Sequence, residues 1–221
     1  MEPDGSISLP RPRDAARRIP MGKKRHFTGK MVVGEDEGRE FAFESNTERL
    51  VALVMLARHD VTNVENQVLF NWVDRAGKAR KHFFDFRITL RDGTRIAVVV
   101  KAPHKATDAE FRMELSWLAS QVTPDFAHRV SLMTANDLDP VEIYNAGLIH
   151  SVREPDPEPD AAVRRVIAAI AGPVKIADVV DASGWPGRGF RSVVRLVRSR
   201  ELELADPGRI EPESRVRRRI I

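Results

Sequence analysis

Phe83-Phe84-Asp85-Phe86-Arg87-Ile88-Thr89-Leu90 runs into Arg91-Asp92-Gly93-Thr94 and out again as Arg95-Ile96-Ala97-Val98-Val99-Val100-Lys101. Phe84, Phe86, Ile88 and Leu90 alternate with Asp85, Arg87 and Thr89, the period of a strand with one buried face. Asp92-Gly93 supplies the positive-φ tolerance of a tight reversal, and Ile96 to Val100 is a nearly continuous β-branched run suited to a strand covered on both faces. The stretch reads as a hairpin with a carboxylate on one arm and an amine, Lys101, ending the other. Side chains alternate across a sheet, so the two share a face only in certain registers. A three-residue loop, Asp92 to Thr94, sets Asp85 opposite Lys101. A two-residue loop moves the register by one and sets Asp85 opposite Val100.

Upstream, Ser45-Asn46-Thr47-Glu48 opens a helix reaching about Arg58, with Leu50, Val51, Leu53, Val54 and Leu56 as its apolar residues. Ser45 and Glu48 fit a capping box, in which the glutamate satisfies a free backbone amide. Gln67 to Val73 reads as a strand, Asp74 to Lys78 as a turn containing Gly77, and the strand from Lys81 or His82 then carries Asp85. Downstream, Thr107 to Val122 has helical spacing in Phe111, Leu115, Leu118 and Val122. Val130 to Met133 is a short strand and Pro140 to Ala146 a short helix. Residues 41–153 therefore read as an α+β domain whose helices cover a mixed sheet.

The pattern Ser45-x-x-Glu48-Arg49 on a first helix, then Asp85-Phe86 on a strand, then a hydrophobic strand ending Val100-Lys101, resembles the TnsA-type transposon-end endonucleases of the PD-(D/E)xK superfamily. The likeness extends back through Ile19-Pro20, His26, Gly29-Lys30 and Phe43-Glu44-Ser45, and includes Gln67. The resemblance implies a restriction-endonuclease-like fold and a divalent metal, Mg²⁺ or Mn²⁺, held by Glu48 and Asp85. Lys101 is then the residue that activates water or stabilises the scissile phosphate. It also implies transposase or recombination partner proteins. Two positions before the lysine the superfamily has glutamate, or glutamine in the TnsA branch, and this chain has Val99. Glu48, Asp85 and the carbonyl of Val100 form the ligand set that remains, and Mg²⁺ accepts few protein ligands and several waters.

At 221 residues with 42% hydrophobic content the chain holds one large domain or two smaller ones. It has no cysteine, which excludes disulfides and thiolate metal sites. No apolar run of about 18 residues is present, so no membrane span is expected. The start lacks an apolar secretory core, and a cytoplasmic protein is the expectation. Residues 41–159 carry 14 basic and 17 acidic side chains, whereas 160–221 carry 13 basic and 8 acidic. The outer segments are thus the ones suited to phosphate.

Residues 1–40 contain Arg11, Arg13, Arg17, Arg18, Lys23, Lys24, Arg25 and Lys30 without a periodic apolar face, and read as a basic flexible arm. Alternating prolines and acids at 154–160 read as a linker. Residues 161–221 then read as a winged helix-turn-helix domain. Its helices fall at Ala161 to Ala171, Ile176 to Ala182 and Arg188 to Arg200, with a wing from Leu202 onward. Arg188, Arg191, Arg195 and Arg198 line one side of the third helix, and Arg217 and Arg218 follow in the tail. Such a face suits double-stranded DNA, the alternative being a solvated face on a protein-docking domain.

The expectation is a DNA-binding, metal-dependent endonuclease with Glu48, Asp85 and Lys101 as its catalytic residues. The alternative keeps the fold without cutting: Val99 removes a ligand, leaving a DNA-binding regulator of transcription or recombination, or an assembly platform.

Overall fold

The computed structural model describes residues 9–12, 27–34 and 37–219. They form two compact units, one comprising residues up to Leu56 with Asp60–Asp139, the other Ala57–His59 with the residues from Pro140 onward. The architecture is mixed α+β.

In the first unit, β1 (Gly29–Val33) and β2 (Arg39–Phe43) pair antiparallel. The end of the segment expected as a flexible arm is therefore a strand, because Gly29-Lys30-Met31 can pair with Phe43, Ala42 and Phe41 in turn once the chain reverses. Gly38 makes that reversal at φ 66°, and a Cβ there would meet Val32 Cγ1 at 2.5 Å. Lys30 pairs with Glu40 at 2.9 Å. Arg13, Arg17, Arg18, Lys23, Lys24 and Arg25 lie outside the described residues.

After α1 (Asn46–Ala57) come β3 (Val61–Val73), β4 (Ala79–Leu90) and β5 (Arg95–Val100), joined as an antiparallel meander. The crossover through α2 (Pro103–Ala106) and α3 (Ala109–Ala119) leads to β6 (Arg129–Met133), which pairs parallel with β5. The result is a mixed sheet of order β3-β4-β5-β6 flanked by helices. Asp108 caps α3 by accepting from the Phe111 amide at 2.9 Å. Leu118, Phe111 and Leu115 of that helix pack on Trp72, Phe84, Ala97 and Val99 of the sheet. Phe41 of β2 stacks on Phe86, with ring centroids 5.8 Å apart.

The β4–β5 register differs from both expectations. Phe86 pairs with Val98 and Thr89 with Arg95, which, carried one step further, sets Asp85 opposite Val99. The loop starts one residue earlier than the Asp-Gly signal suggests, because Asp92 accepts from the Thr94 amide at 2.8 Å and so becomes the loop's centre. Leu90 N–H closes the loop on the Thr94 carbonyl at 2.8 Å.

The expected alternation along β4 is also broken. Phe84 and Arg87, three residues apart, both touch Phe126, at 5.6 Å and 5.1 Å from its ring centroid. Phe86 meanwhile stacks on Phe41. The β3–β4 ladder skips the Gln67/Asp85 position, and Gln67 has φ 53°, a value that costs a non-glycine residue conformational energy. Asp85 therefore sits in an irregularity rather than on a regular pleat.

The second unit begins with α4 (Pro140–Ser151), whereas the sequence pattern places these residues in the 41–153 domain. Its Asn145 donates to the Gly208 carbonyl at 3.0 Å and accepts from the Ile210 amide at 2.8 Å, and Ile149 joins this unit's core. The stretch expected as a linker, 154–160, enters α5 (Pro157–Ala168) from Pro157. Pro157 and Pro159 fit there because amides of a helix's first turn have no intrahelical acceptor, and Glu158 and Asp160 complement its positive end. Then follow β7 (Val174–Lys175), α6 (Ile176–Ser183), α7 (Arg188–Arg198), β8 (Leu202–Leu204) and β9 (Arg215–Arg218), the strands ordered β7-β9-β8. Val163, Ile176, Val179, Val193, Val194 and Val216 are fully buried among these elements. No helix among the described residues is long and apolar enough to cross a membrane.

Candidate functional site

Glu48 stands in the first turn of α1 and is 7% exposed. Its amide donates to Ser45 Oγ at 3.0 Å, the Ser45 hydroxyl donates to Glu48 Oε1 at 2.9 Å, and the Glu44 amide donates to Oε2 at 2.9 Å. The capping function is therefore present. Burial, and then the negative charge of Asp85, push the Glu48 carboxyl up to about 7, against the pull of the Glu44 amide and Ser45 hydroxyl. Two carboxylates thus lie within electrostatic reach.

Asp85 Oδ2 accepts from the Val100 amide at 2.7 Å. Lys101 N–H bonds the Met133 carbonyl, toward β6, so the preceding amide points toward β4. The β4–β5 pairing ends at Phe86 and Val98, and the carboxylate takes the next β5 amide in place of a ladder bond. In an extended strand the carbonyl of a residue leaves on the same side as its amide, so the Val100 carbonyl shares this edge with Asp85.

Lys101 is half-buried, and its charge reaches His82. Burial first, then that ammonium, lower the His82 imidazole to about 4, which keeps it neutral. His82 Nε2 is buried without a hydrogen bond among the described residues, and the ring packs edge-on to Phe84 at 4.7 Å. Val99, by contrast, is 1% exposed and packs in the apolar cluster of Trp72, Phe84, Ala97 and Leu118.

Among the described residues no group of three or more His, Asp or Glu side chains is placed to hold a metal ion. What the site offers is Glu48, Asp85 and the Val100 carbonyl. All are oxygen donors, the class that Mg²⁺ takes with few protein ligands. A cation beside Glu48 and Asp85 would relieve the repulsion that raises Glu48. By its chemistry this donor set is of the kind that suits a hard divalent ion, to which Glu48 and Asp85 would supply the two carboxylates.

Two residues here stand outside the site set that sequence reasoning assigns, although the family likeness includes Gln67. Gln67 is 2% exposed with strained backbone opposite Asp85, and His82 neighbours Lys101. Its place within the family likeness was the available signal for the first. Nothing local marks the second.

The six arginines expected to contact DNA divide into two groups. Arg188 pairs with Asp156 at 2.6 Å and lies over the Trp185 ring at 4.5 Å. Arg195 pairs with Asp160 at 2.6 Å, with only 12% and 9% of the two side chains exposed, and also donates to Ser192 Oγ at 3.0 Å. Arg217 pairs with Glu203 at 2.7 Å. Arg191 and Arg218 are exposed and Arg198 is half-buried, and the side chains of these three have no ion pair among the described residues. The face expected from spacing alone is therefore partly taken up by α5. Asp156, Asp160 and Arg164, four residues apart, meet Arg188, Arg195 and Glu201 in turn.

Compared with protein-family models and with curated proteins, the chain gives no significant match.

Proposed function

We propose that this protein is a DNA-binding, metal-dependent endonuclease, with a restriction-endonuclease-like first unit that hydrolyses phosphodiester bonds and a winged helix-turn-helix second unit that holds DNA. The observation that carries this reading is the Glu48–Asp85 carboxylate pair where β4 parts from β5, with Lys101 following the amide that Asp85 holds. The second unit supports it through α5, α6 and α7 followed by paired strands, with Arg191 exposed on α7.

Glu48, Asp85 and the Val100 carbonyl are the residues that would hold Mg²⁺ or Mn²⁺, which when bound lowers the pKa of water and neutralises phosphate charge. Asp85 is fixed by the Val100 amide, and Glu48 by Ser45 and Glu44, so neither needs ordering when DNA arrives. Lys101 offers its ammonium to the negative charge that develops on the phosphoryl oxygens. His82, held neutral, adds no second positive charge to repel it.

One observation favours the rival reading, a DNA-binding platform that does not cut. Val99 occupies the position of the superfamily's further ligand and lies inside the apolar core. Transposase or recombination proteins are the partners either reading calls for.

Nicking of supercoiled DNA with Mg²⁺ and Mn²⁺ separates the two. The endonuclease reading expects nicking by the native chain that is abolished in Asp85→Asn and in Lys101→Ala, with DNA affinity retained. Nicking that survives both substitutions, or DNA binding with no nicking in either metal, overturns it, and the second outcome favours the platform.

A further inference from the structure

A groove of about 280 Å³ in the second unit is lined by Arg164, Ile167, Ala168, Ser199, Arg200, Glu201, Arg218 and Arg219. It lies between the C-terminal half of α5, the end of α7 and the end of β9. Four guanidinium groups face one carboxylate there. Glu201 is committed to Arg164 through two bonds of 2.8 and 2.9 Å, and accepts from Ser199 Oγ at 2.9 Å. The remaining side chains, Arg200, Arg218 and Arg219, have no ion pair among the described residues.

Arg200 carries a second, independent sign. It follows the α7 cap Ser199 with φ 65°, one of two non-glycine residues among those described with positive φ. This is the position just past a helix end where glycine is usual, because a Cβ is disfavoured in the left-handed conformation. The chain keeps an arginine in a glycine's place, and that arginine lines the groove. The buried Ile167 lines the groove on the α5 side, and an apolar wall strengthens the attraction of an anion to the guanidinium groups.

From these observations we infer that the groove binds a phosphate group. Guanidinium forks match phosphate oxygens in pairs, and a phosphate or pyrophosphate removes the repulsion among Arg200, Arg218 and Arg219. The inference stands apart from cleavage and from the Asp85 site. Its phosphate can come from a free phosphorylated molecule or from a nucleic-acid backbone.

The test is calorimetric titration of the full chain with inorganic pyrophosphate and, separately, with a short DNA duplex, at matched ionic strength. Arg218→Ala should weaken binding of whichever probe the groove takes by about tenfold, the loss of one charge-assisted contact. Arg200→Gly should do the same while raising the melting temperature of the unliganded protein, since it removes the guanidinium and the backbone strain together. Pyrophosphate binding lost in both variants assigns the groove to free phosphates, and loss confined to the duplex assigns it to a nucleic-acid backbone. If neither probe binds, or if both bind the two variants as tightly as the native chain, the inference is overturned.

Discussion

Glu48 and Asp160 occupy the same local frame in different units. Each lies in the first turn of a helix, and each accepts from the amide four residues earlier, Glu44 for one and Asp156 for the other. Their fates are opposite. Burial pushes Asp160 up, but hydrogen bonds from Arg195 and Ser192 outweigh it and hold the carboxyl below its ordinary range. Burial pushes Glu48 up as well, and the neighbouring Asp85 adds to the effect, so it reaches about 7. A buried carboxylate facing guanidinium is a structural clasp. One facing another carboxylate destabilises its unit near neutral pH, and a cation is what that arrangement suits.

Breaking the clasp should have the largest effect. Asp160→Ala leaves Arg195 buried without its carboxylate and should cost about 3–5 kcal/mol, read from denaturant unfolding of the second unit. Its pH signature follows from the lowered carboxyl. The clasp's stabilisation is complete above the ordinary value of 3.8 and is lost as pH falls through the lower folded value, a loss the variant should not show.

Adding a third carboxylate to the other site should cost somewhat less. Val99→Glu places a charge in the cluster of Trp72, Phe84 and Leu118, and a loss of about 3 kcal/mol is expected without a gain in nicking. A stable variant with raised activity would show that position 99 can turn toward Asp85.

Glu48→Gln should act in the reverse direction to Asp160→Ala. A folded carboxyl raised from 4.5 to about 7 binds its proton more tightly than the unfolded one, so stability falls as pH rises across that window. Removing the charge should recover about 3 kcal/mol at pH 8, less about 1 kcal/mol of weakened capping. Thermal melts at pH 4.5 and pH 8 read both parts, because the variant should gain only at the higher pH.

The smallest effect concerns DNA. Arg191→Ala should weaken binding by about 1 kcal/mol and reduce the salt slope by about 1, as loss of one phosphate contact does. Arg188→Ala should instead lose its Asp156 pair and change the salt slope less. Equal slopes for the two variants would show that the pairing with α5 gives way on DNA.

Much of the hairpin was readable because alternation and Asp92-Gly93 are local signals. The register was not, since it depends on which way the Asp92 carboxylate folds. The break between Phe84 and Arg87 was hidden too: it arises from Gln67 on the neighbouring strand and Phe126 beyond α3, and no window of β4 contains either. Ser45 and Glu48 were legible as a cap and as a ligand, and the cap geometry leaves both readings compatible. The arginine spacing on α7 was equally plain. What spacing could not convey is that Asp156 and Asp160, in a stretch whose prolines suggested a linker, start a helix beside it.

The central claim is that Glu48 and Asp85 form a cation site, and titration of the Glu48 carboxyl by carbon NMR, with and without saturating Mg²⁺, tests it most directly. The account expects a value of about 7 in the metal-free protein, falling toward the ordinary carboxylate range with Mg²⁺. A Glu48 that titrates near 4.5 without metal, or that stays at about 7 when Mg²⁺ is added, would contradict it.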